Sequence, residues 1–289
     1  MLPLLASKFD PVSEFTQFIS DPYVNLPGPF DINKAVLYMW LSAAVIVIGV
    51  LVLVRRGLVV RPDGRQTAVE TVYDLAYTQI AKAGLPEEGM RTWFPYVATL
   101  FVFIWVMNLV GFVPLPVSDE HVHIFGLKVP QLQIYAATAN ISVTLTLTLV
   151  TIIASWEEGI RYNGVFGFFK SWMPSGLPNV RPLRPASIGI GALVGLIAVI
   201  EVISQFARVI SLSVRLFANL LAGHLVIAVF LALAGILTSS ALYWFLQPLG
   251  LAMGVAIYAL EITLIAGLQA FIFATLSAIY IGGAIHPDH

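Results

Sequence analysis

Apolar and polar positions along the chain sort into long uncharged runs separated by basic or proline-rich connections. Residues 35–54, AVLYMWLSAAVIVIGVLVLV, carry no charge, and at about 1.5 Å per residue such a helix covers the ~30 Å hydrocarbon core of a bilayer. The same pattern predicts further crossings at about 92–115, 133–155, 186–237 and 241–285. The last two exceed the roughly 20 residues of a perpendicular crossing, so they are read as long, steeply tilted helices forming a hairpin. Between the first two crossings, TAVETVYDLAYTQIAKAG (67–84) is helix-compatible but too polar to span, which predicts an interfacial helix near 67–90. The resulting plan is an external segment 1–34, a single all-α membrane domain 35–285 with about five crossings, and a cytoplasmic tail 286–289. The opening MLPLLASKFD lacks a basic region and a long enough apolar stretch for a signal peptide, so the start reads as mature sequence.

Composition agrees with the pattern: 58% of the 289 residues are hydrophobic and 11% charged, with a mean hydropathy of +0.88, values of an integral membrane protein. A formal net charge of −1 and no clustered basic surface argue against a nucleic-acid partner. The absence of cysteine excludes disulfides, thiolate catalysis and Cys-bound metals. His121 and His123 are two apart in SDEHVHIFGLK, but with no further ligands nearby they read as a solvated loop. No metal or cofactor is expected. Arg55, Arg56, Arg61, Arg65, Lys82 and Arg91 fill the first connection, and Arg161, Lys170, Arg181 and Arg184 another. The positive-inside rule places both in the cytoplasm, with the N-terminus outside and, after five crossings, the C-terminus inside.

The candidate chemistry lies in EVISQFARVISLSVRLFANLLAGH (201–224). Glu201, Ser204, Arg208, Ser211, Arg215 and Asn219 follow at steps of three or four and form one polar stripe on a helix. An arginine at the membrane midplane costs about 2.5–3.5 kcal/mol, so Arg215 is the leading functional candidate. It stays protonated and acts as a fixed positive charge, favouring the ionised form of any carboxyl brought near it. Glu201, His224 and Glu261 are the groups around it able to exchange protons. His224 is nine residues on, about 900° round the helix, and so faces away from Arg215.

Plainer readings stand beside these. Glu201 and Arg208 suit the headgroup level, where long side chains snorkel. Asn108 suits a helix–helix hydrogen bond. The threonines 144, 146 and 148, inward of Asn140 and Ser142, suit hydroxyls bonded to their own helix. From the residues alone, an ion-translocating subunit competes with a secondary transporter that binds an anionic substrate on Arg215. The lack of an internal repeat weighs against the transporter. A passive scaffold would not need the stripe.

SLSVRLFANLLAGHLV (211–226) resembles the signature of subunit a of the rotary F-type ATP synthases, SLxxRLFxNxxAGxxx. WFPYVATLFVFIWVMNLVGFVP (93–114), GVFGFFK with the later PSG (164–176), and LQAFIFATLSAIYI (268–281) resemble further family segments in the same order. The resemblance implies a non-catalytic, ion-translocating stator subunit in a multi-pass bacterial inner-membrane complex. Its implied partners are the c-ring, the peripheral-stalk b subunits, the other synthase subunits and the lipid. It further implies that Arg215 faces the carboxylates of the c-ring, with Asn219 one turn away in an outer half-channel. His224 and Glu261 match the exchangeable titratable pair, Gln269 a glutamine near the arginine, and Glu201 the acid toward the cytoplasmic exit. Ser211, Arg208 and Asn140 are supporting polar positions.

Three departures stand out. Arg208-Val209 replaces a common Lys-Pro, Ala218 replaces a glycine, and Glu261 lies eight rather than seven residues before Gln269. Seven residues return to within about 20° of the same face and eight land about 80° off. Either a π-bulge restores the alignment or Glu261 is displaced.

Overall fold

A computed structural model describes residues 33–55, 57, 59–60, 62–113, 121–124, 127–130, 136–171, 185–236 and 243–285. The expected external segment is outside these residues apart from its last positions, and the tail 286–289 is outside them altogether.

The chain is an all-α membrane fold with one short hairpin. Five of its helical stretches are long and apolar enough to cross a bilayer: Lys34–Leu53, Glu87–Gly111, Ile141–Phe168, Gly195–Ile227 and Gln247–Ile285. Helix α1, Lys34–Val54, starts where Asn33 Oδ1 accepts from the Val36 amide at 3.0 Å, satisfying one of the donors a helix start leaves open. Helix α2, Gly64–Asp74, is capped in the same way by Asp63, runs through a π-helical segment Leu75–Ala81 and ends at Lys82–Gly84. Helix α3 is Glu87–Gly111. A two-stranded antiparallel hairpin follows, β1 His121–Ile124 with β2 Leu127–Pro130, pairing His123 with Lys128. The charged stretch read as a simple loop thus has backbone pairing of its own.

After a 3₁₀ turn at Ala137–Ala139, helix α4 runs Ile141–Ser171, a later start than the apolar pattern gives. Asn140 accounts for the difference, because its Oδ1 accepts from the Ser142 amide at 2.9 Å and caps the helix there. Gly164 breaks α4 at φ 71°, ψ 163°, a conformation essentially confined to glycine. Helix α5, Pro185–Ile236, is continuous over 52 residues, about 78 Å at 1.5 Å per residue. Helix α6, Tyr243–Leu260, passes through a π-helical turn, Glu261–Ile265, into α7, Ala266–Ile285.

Packing divides the chain into two compact units: Met1–Pro62, Phe101–Thr144 and Arg215–Phe271 in one, Asp63–Leu100, Leu145–Val214 and Ile272–His289 in the other. In the first, Leu220 of α5 packs with Ile265, while Ile227 packs with Ile257, Tyr258 and Ile262. Rising numbers on α5 meet falling numbers on the last helices, so the two run antiparallel. In the second, the end of α2 docks on α7 through glycines: a Cβ at Gly84 would lie 2.6 Å from the Ala278 carbonyl carbon, and one at Gly282 would strike the Gly84 carbonyl. Absent side chains allow helix backbones to come this close.

A candidate proton-transfer site on helix α5

Helix α5 separates its residues by face. Leu212, Leu216 and Leu220 are buried, whereas Ser211, Arg215, Ala218 and Ala222 are exposed and Asn219 is half-buried. Small side chains therefore flank the guanidinium of Arg215 on an open helical surface. Among the described residues, Arg215 has no ion pair.

His224 meets the residue just past the end of α3. Its Nδ1 lies 2.9 Å from the Leu220 carbonyl oxygen. A carbonyl only accepts, so Nδ1 carries the hydrogen and Nε2 is the basic nitrogen of the neutral ring. Nε2 is buried and has no hydrogen-bond partner among the described residues. Phe112, just past the end of α3, stacks on the imidazole with ring centroids 5.0 Å apart and planes 23° from parallel.

Glu261 is 1% exposed. Its carboxylate is pressed against Gly223, the neighbour of His224, so closely that a Cβ on Gly223 would collide with Oε1, Cδ and Oε2. Oε2, like His224 Nε2, is buried without a hydrogen-bond partner among the described residues. Each orphaned polar atom is expensive, at about 1–3 kcal/mol, and such groups are characteristic of working sites.

The eight-residue offset is resolved by the backbone. Glu261 opens the π-helical turn, and its carbonyl accepts from the Ala266 amide, five residues on. One such i→i+5 turn absorbs one extra residue. Glu261 and Gln269 are accordingly both buried, at 1% and 6% exposure. Asn108 of α3 secures the end of the turn: its Nδ2 donates to the Ala266 carbonyl at 3.1 Å, and its Oδ1 accepts from the Thr138 hydroxyl at 2.8 Å. Asn108 is thus the helix–helix hydrogen-bonding residue its position led us to expect.

The other end of the stripe is different in kind. Glu201 pairs with Arg208 at 3.7 Å, one oxygen also accepting from Gln205 at 3.3 Å. The Arg208 guanidinium lies over the Tyr280 ring at 5.7 Å. Both charged side chains are partly exposed, at 40% for Arg208 and 30% for Glu201.

Several residues of these clusters were not singled out in the sequence. Phe112, Tyr258 and Tyr280 look like ordinary aromatic residues of apolar spans, and Gly223 like any small residue. A spacing signal existed for Tyr258, three before Glu261 and hence on its face. Glu158 of α4 was also missed: it is 2% exposed and lies 3.7 Å from Arg161, an i,i+3 pairing visible in WEEGIR. It ends a buried polar stripe that includes Thr144, Thr148, Thr151 and Ser155. The Thr151 and Ser155 hydroxyls donate to Leu147 and Ile152 carbonyls of their own helix.

Comparison with known proteins gives this arrangement a family. The model of the ATP synthase A chain family matches residues 36–282. An ATP synthase subunit a of a Methylobacterium species is 34% identical over 288 residues, 99% of this chain and 100% of the relative. Those of Rubrobacter xylanophilus and Bradyrhizobium diazoefficiens are each 35% identical, over 89% and 88% of this chain and 86% and 88% of the relatives. With the match reaching into all five apolar crossings and covering the whole polar stripe, the chain belongs to the ATP synthase A chain family.

Proposed function

We propose that this chain is the ion-translocating stator subunit in the membrane sector of a rotary F-type ATP synthase, providing two proton half-channels to a c-ring and keeping them apart with Arg215. The observation that carries this reading is the Glu261 carboxylate, buried against Gly223 beside His224 and brought into phase with Gln269 by the π-turn, while Arg215 occupies the exposed face of the same helix α5. Family membership supports assembly with the c-ring, the peripheral-stalk b subunits and the other subunits of the complex.

In this mechanism the chain makes and breaks no covalent bond other than those to protons. A proton arrives from outside past Asn219, with His224 Nε2 and Glu261 Oε2 as the exchanging atoms, and neutralises a ring carboxylate. The neutral acid crosses lipid far more cheaply than its anion, so rotation waits on protonation. Arg215 then favours release of the proton by attracting the carboxylate, and its permanent charge repels a proton moving directly from one half-channel to the other. Gln269, buried on α7, orients the arginine or its ring partner through a neutral amide. Released protons leave past Glu201, held by Arg208 and Gln205 at the cytoplasmic end, with Ser211 on the exposed face between them. Asn140 supports the site by capping α4. Each charge crossing the membrane delivers about 2.3 kcal/mol per 100 mV.

Arg215→Ala in inverted membrane vesicles is expected to abolish ATP-driven acidification while the complex stays assembled. Acidification at the rate of the unmodified protein would overturn the assignment.

A further inference from the structure

Phe112, just past the end of α3, forms a clamp on His224. A helix C-terminus leaves its final carbonyls without intrahelical partners, and here the Phe112 carbonyl accepts from the Tyr258 hydroxyl at 2.6 Å. The bond joins groups 146 residues apart and fixes the end of α3 against α6, three residues before the π-turn begins. The Phe112 ring, 2% exposed, is held between two others: it stacks on His224 at 5.0 Å and meets Tyr258 edge-on at 5.7 Å and 84°. Leu109, Ile227 and Ala266 close the packing around it.

The His224 ring is therefore fixed by two contacts of different kinds. The Leu220 carbonyl fixes its Nδ1, and the Phe112 face fixes its plane, which together set where Nε2 points. Of the titratable groups on the facing helices, Tyr258 meets the Phe112 ring and Glu261 lies against Gly223, the chain neighbour of His224. The end of α3 contributes the Phe112 ring, and α5 the Leu220 carbonyl.

We infer that Phe112, locked by the Tyr258 hydroxyl, is a positioning residue for proton transfer at His224: its ring holds the imidazole so that Nε2 is presented to protons in transit. This rests on the reading of His224 as a proton-exchanging group. Phe112 itself neither carries nor accepts a proton.

The test uses the assembled complex in inverted membrane vesicles, measuring ATP-driven acidification as a function of pH. Phe112→Leu removes the ring and keeps an apolar side chain. It is expected to slow pumping about twofold to tenfold, the scale of a lost aromatic contact, and to change the pH profile. Phe112→Tyr, which keeps the ring, should restore both rate and profile. Tyr258→Phe, which deletes only the hydroxyl, should change the profile by a smaller amount. With His224 already replaced by Ala, Phe112→Leu should have no further effect.

A Phe112→Leu complex with an unchanged profile overturns the inference, as does an equal loss with and without His224, the behaviour of a purely structural residue. Should Phe112→Leu fail to assemble, Tyr258→Phe decides, and an unmoved profile there overturns the inference. If His224→Ala itself leaves the profile unmoved, the proposed role of His224 falls. If His224→Ala moves it and Phe112→Leu does not, only the positioning role falls.

Discussion

Helix α5 carries two acid-and-base clusters that solve the problem of polarity in an apolar protein differently. Around Glu201 and Arg208 every charge has an answer: an opposite charge at 3.7 Å, an amide, an aromatic face and partial exposure. Around His224 and Glu261 the polar atoms are buried, and two of them have no hydrogen-bond partner among the described residues. Partly exposed ion pairs contribute little, about 0–1 kcal/mol, and tolerate change. Buried unsatisfied groups persist only where surrounding packing fixes them. The difference teaches where sensitivity to substitution should lie, in the tightly packed cluster and not in the more highly charged one.

The strongest challenge to that contrast is Gly223→Ala. The added methyl has no room beside the Glu261 carboxylate, and overpacking of this kind costs about 1–3 kcal/mol, or roughly tenfold or more when it falls on a working group. Pumping is expected to drop by at least about tenfold in assembled complexes. Shortening the acid in the double variant Gly223→Ala/Glu261→Asp should recover part of it. An unaffected single variant would show that the close approach is unimportant.

Asn108→Leu ranks next. It leaves the Thr138 hydroxyl and the Ala266 carbonyl without their shared partner, at about 0.6–1.7 kcal/mol per bond between membrane helices. The midpoint of thermal unfolding should fall by a few degrees with a smaller loss of pumping, and an unchanged midpoint would remove the tie from the account. The smallest effect is expected for Arg208→Ala, which opens one partly exposed pair. Pumping should fall less than about threefold, and a loss as large as that of Gly223→Ala would erase the distinction between the clusters.

What the sequence made legible follows from what is local in it. Uncharged runs announce crossings, because a span needs about twenty apolar residues wherever it packs. The expensive charges on α5 are likewise visible at a glance, and simple angular arithmetic on Glu261 and Gln269 exposed an extra residue, which the backbone takes up in the Glu261–Ile265 turn. The clamp was not legible, because Phe112 and Tyr258 meet across 146 residues, and although Tyr258 lies three before Glu261, nothing local pairs it with Phe112. Gly223 is informative only once the carboxylate opposite it is known. The start of α4 lies later than the apolar run because that run begins before Asn140, whose side chain caps the helix.

The π-turn also means that the last two helices behave as separately phased segments on either side of a tolerant joint. An inserted residue in a plain α-helix would swing everything beyond it by about 100°, redirecting an entire membrane face. Here the wide turn confines that rotation to Glu261–Ile265, and the exposed Thr263 lies within it. Deleting Thr263 should straighten the helix without turning Glu261 away from the face of Gln269, so a shortened chain that still pumps would show that insertions and deletions are neutral moves at this joint. Chimeras that exchange α6 or α7 with a relative would then need their boundary drawn outside the turn, so that the acid and its phase are inherited together.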